Sequence, residues 1–91
     1  MADELDRFVI ALAERVDAIQ DAELASSCPE VAELARALAN DAERLGYPGL
    51  ARCGRTAAMA AEDDKIEAMQ EAVFEMTEIA QRIRRGHRGA A

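Results

Sequence analysis

Ile66-Glu67-Ala68-Met69-Gln70-Glu71-Ala72-Val73-Phe74-Glu75-Met76-Thr77-Glu78-Ile79-Ala80-Gln81-Arg82-Ile83 carries the most regular pattern in the chain. Ile66, Met69, Val73, Met76, Ala80 and Ile83 recur at steps of three and four, a heptad-like stripe that Ile79 widens. Polar side chains fill most positions between them, as in a helix with one face to bury. Asp64 and Glu67 have capping-box spacing at its start. Arg82, Arg84 and Arg85 fall in the last turn, where cations suit the helix dipole. Gly86 predicts the stop, and His87–Ala91 a loose tail. The predicted helix spans about 65–85.

Three further segments share this period. In residues 3–24, Leu5, Phe8, Val9, Leu12, Val16 and Ile19 fall on one face, and Asp3 is placed to cap the start. The second segment, 28–45, opens with Ser27 and Glu30 at capping-box spacing and Pro29 in the first turn. Val31, Leu34, Leu38 and Leu45 form its inner stripe, with Ala35 and Ala42 beside them. Gly46 supplies the left-handed residue that ends it. The third segment, 48–62, follows the Tyr47-Pro48-Gly49 turn and faces Leu50, Cys53, Ala57 and Ala60 inward. Gly54 costs this helix about 1 kcal/mol against alanine, and reads as a place for a close helix contact.

Nothing alternates as a strand does. Loops this short force consecutive helices to lie antiparallel and adjacent. The expected fold is therefore all-α, an antiparallel up-down-up-down four-helix bundle. Residues 1–85 form its single domain and residues 86–91 a flexible basic tail.

Composition agrees with a folded chain of 91 residues, 51% hydrophobic and 32% charged. Twenty-one residues are alanine, so a few larger side chains must carry the core. No apolar run approaches the ~20 residues of a membrane span. The acidic opening Met1-Ala2-Asp3-Glu4 is unlike a secretory signal. These features point to a cytoplasmic protein, with Cys28 and Cys53 reduced and serving as small apolar fillers. The net charge of −7 is uneven: residues 1–81 hold all 18 acids against seven bases, and residues 82–91 hold four arginines and no acid. An acidic bundle disfavours nucleic acid, which needs a basic face.

Enzyme signatures are absent: no glycine-rich phosphate loop, no nucleophile elbow, no HExxH. No catalytic residue, metal ligand set or cofactor is expected. Glu62-Asp63-Asp64 lacks the spacing of a calcium loop and reads as a helix junction.

The stretch from Leu34 to Ile66 is more specific. Ala35, Leu38, Leu45-Gly46, Leu50 and the loop at Asp63–Lys65 resemble the histidine phosphotransfer (HPt) domains of bacterial phosphorelays. Their central pattern is Ala-His-x-Leu-Lys-Gly, four variable residues, then Leu-Gly and a short turn. The resemblance covers about residues 30–85 without a gap, and implies the same four-helix bundle. It breaks at the chemistry. The phospho-accepting histidine falls at Arg36, its nearby lysine at Ala39 and its glycine at Asn40. A neutral imidazole is a nucleophile; a guanidinium is permanently protonated and is not. His87, in the tail, is too remote to replace it.

The resemblance implies a scaffold that binds a response-regulator receiver or a sensor-kinase domain without transferring phosphate, as adaptor, inhibitor or sequestering partner. The expected docking face is Ala32, Glu33, Arg36, Ala39, Asn40 and Glu43, opposite Leu34, Leu38 and Leu45. There Arg36 either reaches into a receiver's acidic pocket or is a solvated helix residue. Two alternatives stay open. One is a phosphotransfer protein with another acceptor. The other is a structural or oligomeric bundle, in which Phe74 is either a dimer contact or packs at the edge of the core. The expected state is a monomer or weak dimer.

Overall fold

The computed structural model describes the backbone of residues 2–90 and the side chains of residues 4–87. The helices are α1 (Ala2–Leu24), α2 (Cys28–Arg44), α3 (Pro48–Glu62) and α4 (Ile66–Ala90). No strand occurs among the described residues. α1 packs on α2 and α4, and α3 packs on the same two helices, closing an antiparallel four-helix ring. Among the described residues no helix is long and apolar enough to cross a membrane.

Three-residue loops join the helices, and all three close by the same device. Ser26, Gly46 and Asp64 adopt left-handed φ values of 58°, 92° and 57°. Each donates its N–H three residues back, to Glu23, Glu43 and Ala61, and the next N–H reaches five back, to Ala22, Ala42 and Ala60. This is the Schellman pattern, which satisfies the carbonyls orphaned at a helix end. The carbonyls of Ser27, Tyr47 and Lys65 then accept the N–H groups of Val31, Ala51 and Met69, four residues on, and so begin the bonding ladder of the next helix.

Both predicted capping boxes are therefore absent. Ser27 makes no side-chain cap bond. Asp64 sits in the left-handed closing position, where it cannot cap α4, and Lys65 stands at the helix start instead. The side chain of Asp3, expected to cap α1, lies outside the described residues.

Gly86 does not end α4, which runs on to Ala90. The left-handed φ that would stop the helix is missing there, and a helical glycine weakens a helix without breaking it. The tail expected over 86–91 is thus helix as far as Ala90; Ala91 lies outside the described residues. His87 Nε2 stands 3.0 Å from Asp6 Oδ1, which ties the far end of α4 to the first turns of α1.

The core holds Leu12, Ile19, Val31, Leu38, Leu50, Met69, Val73 and Met76, packed among alanines. α2 is rotated from its expected register. Ala35, Leu38, Ala39 and Ala42 are wholly buried, whereas Leu34 and Leu45 flank the core half-buried. The cause lies in the α2–α3 seam. A Cβ added to Gly54 would lie 2.9 Å from Ala39 Cβ and 3.0 Å from the Ala35 carbonyl oxygen. Small residues on both helices let the backbones nearly touch, drawing the alanine side of α2 inward. Ile66, expected in the core, is 45% exposed as the first residue of α4.

Polar contacts lock α1 against α2. Arg15 bonds Asp41 at 2.9 Å, Arg44 reaches the other Asp41 oxygen at 3.4 Å, and Arg44 also bonds Glu4 at 2.5 Å. Beside them Phe8 stacks on Tyr47 with ring centroids 5.9 Å apart.

Candidate partner-binding groove on the second helix

The six residues expected to form one docking face separate. Glu33, Arg36, Asn40 and Glu43 are exposed; Ala32 and Ala39 are buried. Ala39 belongs to the seam, under Gly54, and offers nothing to a partner. Ala32 lies at the floor of a groove of about 860 Å³ that runs along the outer side of α2. Glu33, Arg36, Ala37 and Asn40 line this groove from α2, with Cys28 and Pro29 at its upper end. Ala61 and Glu62 from the end of α3, and Asp64 from the loop, form the other wall. Glu43 is outside this groove, about one turn beyond Asn40 along α2.

The arginine is not free. Arg36 NH1 donates to Glu62 Oε2 at 2.6 Å and NH2 to Oε1 at 3.1 Å, a fork-on-fork pair with both side chains about half exposed. The hydrogen bond and charge of Glu62 push the Arg36 guanidinium up, outweighing slight desolvation. The Arg36 hydrogen bond holds the Glu62 carboxyl down, again against a small desolvation effect. Both groups therefore stay ionised at neutral pH.

Glu62 was legible only as part of a helix junction. Its pairing has a counterpart: Arg55 donates to Glu43 further along the same edge. Arg36 and Glu43 are seven residues apart on α2, as are Arg55 and Glu62 on α3. Charges of opposite sense at matching seven-residue spacings on two antiparallel helices were the available signal, and reading them requires the register of the hairpin.

Both cysteines are free thiols, half-buried near the starts of α2 and α3. Burial, aided by the Glu75 carboxylate and opposed by Arg52, pushes the Cys53 thiol up, which disfavours its reactive thiolate. The groove thus contains one paired guanidinium, three carboxylates, an amide and a thiol over an apolar floor. These groups suit charge-assisted recognition.

Compared with protein-family models, curated proteins and solved structures, the chain matches none.

Proposed function

We propose that the chain is an HPt-like signalling module that docks on a receiver or sensor-kinase domain and transfers no phosphate. The observation that carries this reading is the placement of Arg36. The residue at the family's acceptor position stands half exposed on the outer face of α2, above an open groove, in a four-helix ring. A partner shaped to meet an acceptor histidine would meet a guanidinium held by Glu62. It would find a scaffold to bind and, at that position, no imidazole to phosphorylate.

The test is binding of a receiver panel to wild type and to Arg36→Glu, with a parallel incubation against phosphorylated receivers. Weaker binding by the variant and no label on the chain are expected. Equal binding removes Arg36 from the role. Acid-labile label on the chain replaces the reading with true phosphotransfer.

Phe74, 64% exposed on α4, favours a second reading, self-association through that face. Sedimentation of wild type and Phe74→Glu over a range of concentrations separates the two. A strict monomer at every concentration excludes the second.

A further inference from the structure

We infer that the groove beside Arg36 receives a basic segment of a partner protein, one that presents lysine or arginine to Glu33 and Asp64. This rests on reading the groove as a docking face, but not on a receiver being its occupant.

Charge complementarity carries the inference. Both terminal nitrogens of Arg36 are engaged by the two oxygens of Glu62, so this pair cancels within the groove. What remains is negative: Glu33 on α2 and Asp64 in the loop line the groove, and Asn40 is neutral. An acidic partner would have to break the fork and then set its own carboxylates against two more. Like charges brought together across an interface act against binding. A cation meets no such obstacle, because it can approach the carboxylates while the fork stays closed.

The rest of the chain acts in the same direction. Its net charge is −7, with every acid within residues 1–81. Such a field draws cationic partners toward the bundle and repels anionic ones. The floor suits the stem of a long basic side chain: Pro29, Ala32, Ala37 and Ala61 are small and apolar, and lysine and arginine lay their methylenes on such surface while the charged head stays in water.

The probes are two helix-forming peptides of about 16 residues, long enough for marginal helicity, one of alanine and lysine and one of alanine and glutamate. Each is titrated into the isotope-labelled full chain and followed by backbone amide shifts. The lysine peptide is expected to move the amides of Glu33, Arg36, Asn40, Glu62 and Asp64. Its affinity should fall about threefold or more in Glu33→Gln/Asp64→Asn, the size of one or two exposed ion pairs, and fall again with added salt. Asparagine tolerates the left-handed backbone at position 64, so that variant should fold. Glu71→Gln/Glu75→Gln, on α4, removes the same charge away from the groove and should weaken binding much less. Groove shifts with the glutamate peptide overturn the inference, and so does equal weakening by the α4 pair, which would mean diffuse attraction. A receiver that binds Glu62→Gln more tightly than wild type also overturns it, while upholding the receiver reading. A lysine peptide seated in the groove with no receiver bound upholds it and removes the phosphorelay.

Discussion

Gly54 and Ala39 stand so close that the Cβ glycine lacks would fall 2.9 Å from the alanine Cβ. The obstruction includes the Ala35 backbone oxygen at 3.0 Å, which no rotamer change can move. Gly54→Ala should therefore destabilise the bundle. Overpacking of about 1–3 kcal/mol exceeds the ~1 kcal/mol that alanine returns in helix propensity. Thermal unfolding checks this. Ala39→Gly in the same chain should recover part of the loss, because it withdraws one of the clashing methyl groups. A raised Tm for Gly54→Ala alone would show that the seam has room to spare.

The repeated loop geometry gives predictions of opposite sign at equivalent positions. Ser26, Gly46 and Asp64 occupy the same left-handed place in three Schellman turns. A left-handed backbone costs most L-residues about 1–2 kcal/mol, and aspartate less, because its side chain bonds locally. Ser26→Gly should stabilise by up to about 1 kcal/mol and Asp64→Gly by less. Gly46→Ala should destabilise by about 1–2 kcal/mol. Denaturant midpoints rank the three, and a Ser26→Gly variant no more stable than wild type contradicts the account.

Partial burial pushes the Asp41 carboxyl up, but hydrogen bonds and charge from Arg15 and Arg44 outweigh it and hold the carboxyl below its ordinary value. The folded state thus binds this proton less readily than the unfolded state. Its contribution is complete above the ordinary carboxylate range, near pH 4, and drains away as pH falls through the lower folded value. With the side chain 39% exposed, screening limits it to less than about 1 kcal/mol. Asp41→Asn should lower Tm at pH 7, and the gap to wild type should narrow as pH falls below about 4. A gap that widens on acidification reverses the sign.

The helices were legible because periodicity and breakers are local. Pro29, Gly46 and Pro48 set boundaries within a residue or so of those found, and Gly54 announced its close contact. Serine and aspartate in the closing turns were not legible as left-handed residues. Both are common caps, and the choice between capping and closing depends on where the neighbouring helix ends. Gly86 misled for the related reason that glycine permits a stop without requiring one. At the groove, α2 alone gave Arg36 and Asn40 an exposed side, but the seam with α3 decided that Ala39 is buried and that Arg36 meets Glu62. Neither follows from one helix read in isolation.

The two ion pairs on the α2–α3 edge predict an effect on pairing register. Arg36 meets Glu62 and Glu43 meets Arg55, so the signs are reversed two turns apart. Sliding α3 by two turns one way sets Arg36 against Arg55; sliding it the other way sets Glu43 against Glu62. Each slip replaces an attraction by a repulsion, the usual means by which charge patterns reject a wrong alignment. Arg36→Glu should therefore lower Tm modestly, since it sets two carboxylates together at an exposed site, and Arg36→Glu/Glu62→Arg should restore it. The swap also abolishes the penalty on both slips, because position 36 then attracts Arg55 and position 62 attracts Glu43. The swapped chain is expected to regain wild-type Tm yet show a less uniform native state, read as extra or broadened amide resonances on α3. A spectrum as sharp as wild type would mean that the Gly54–Ala39 contact alone sets the register.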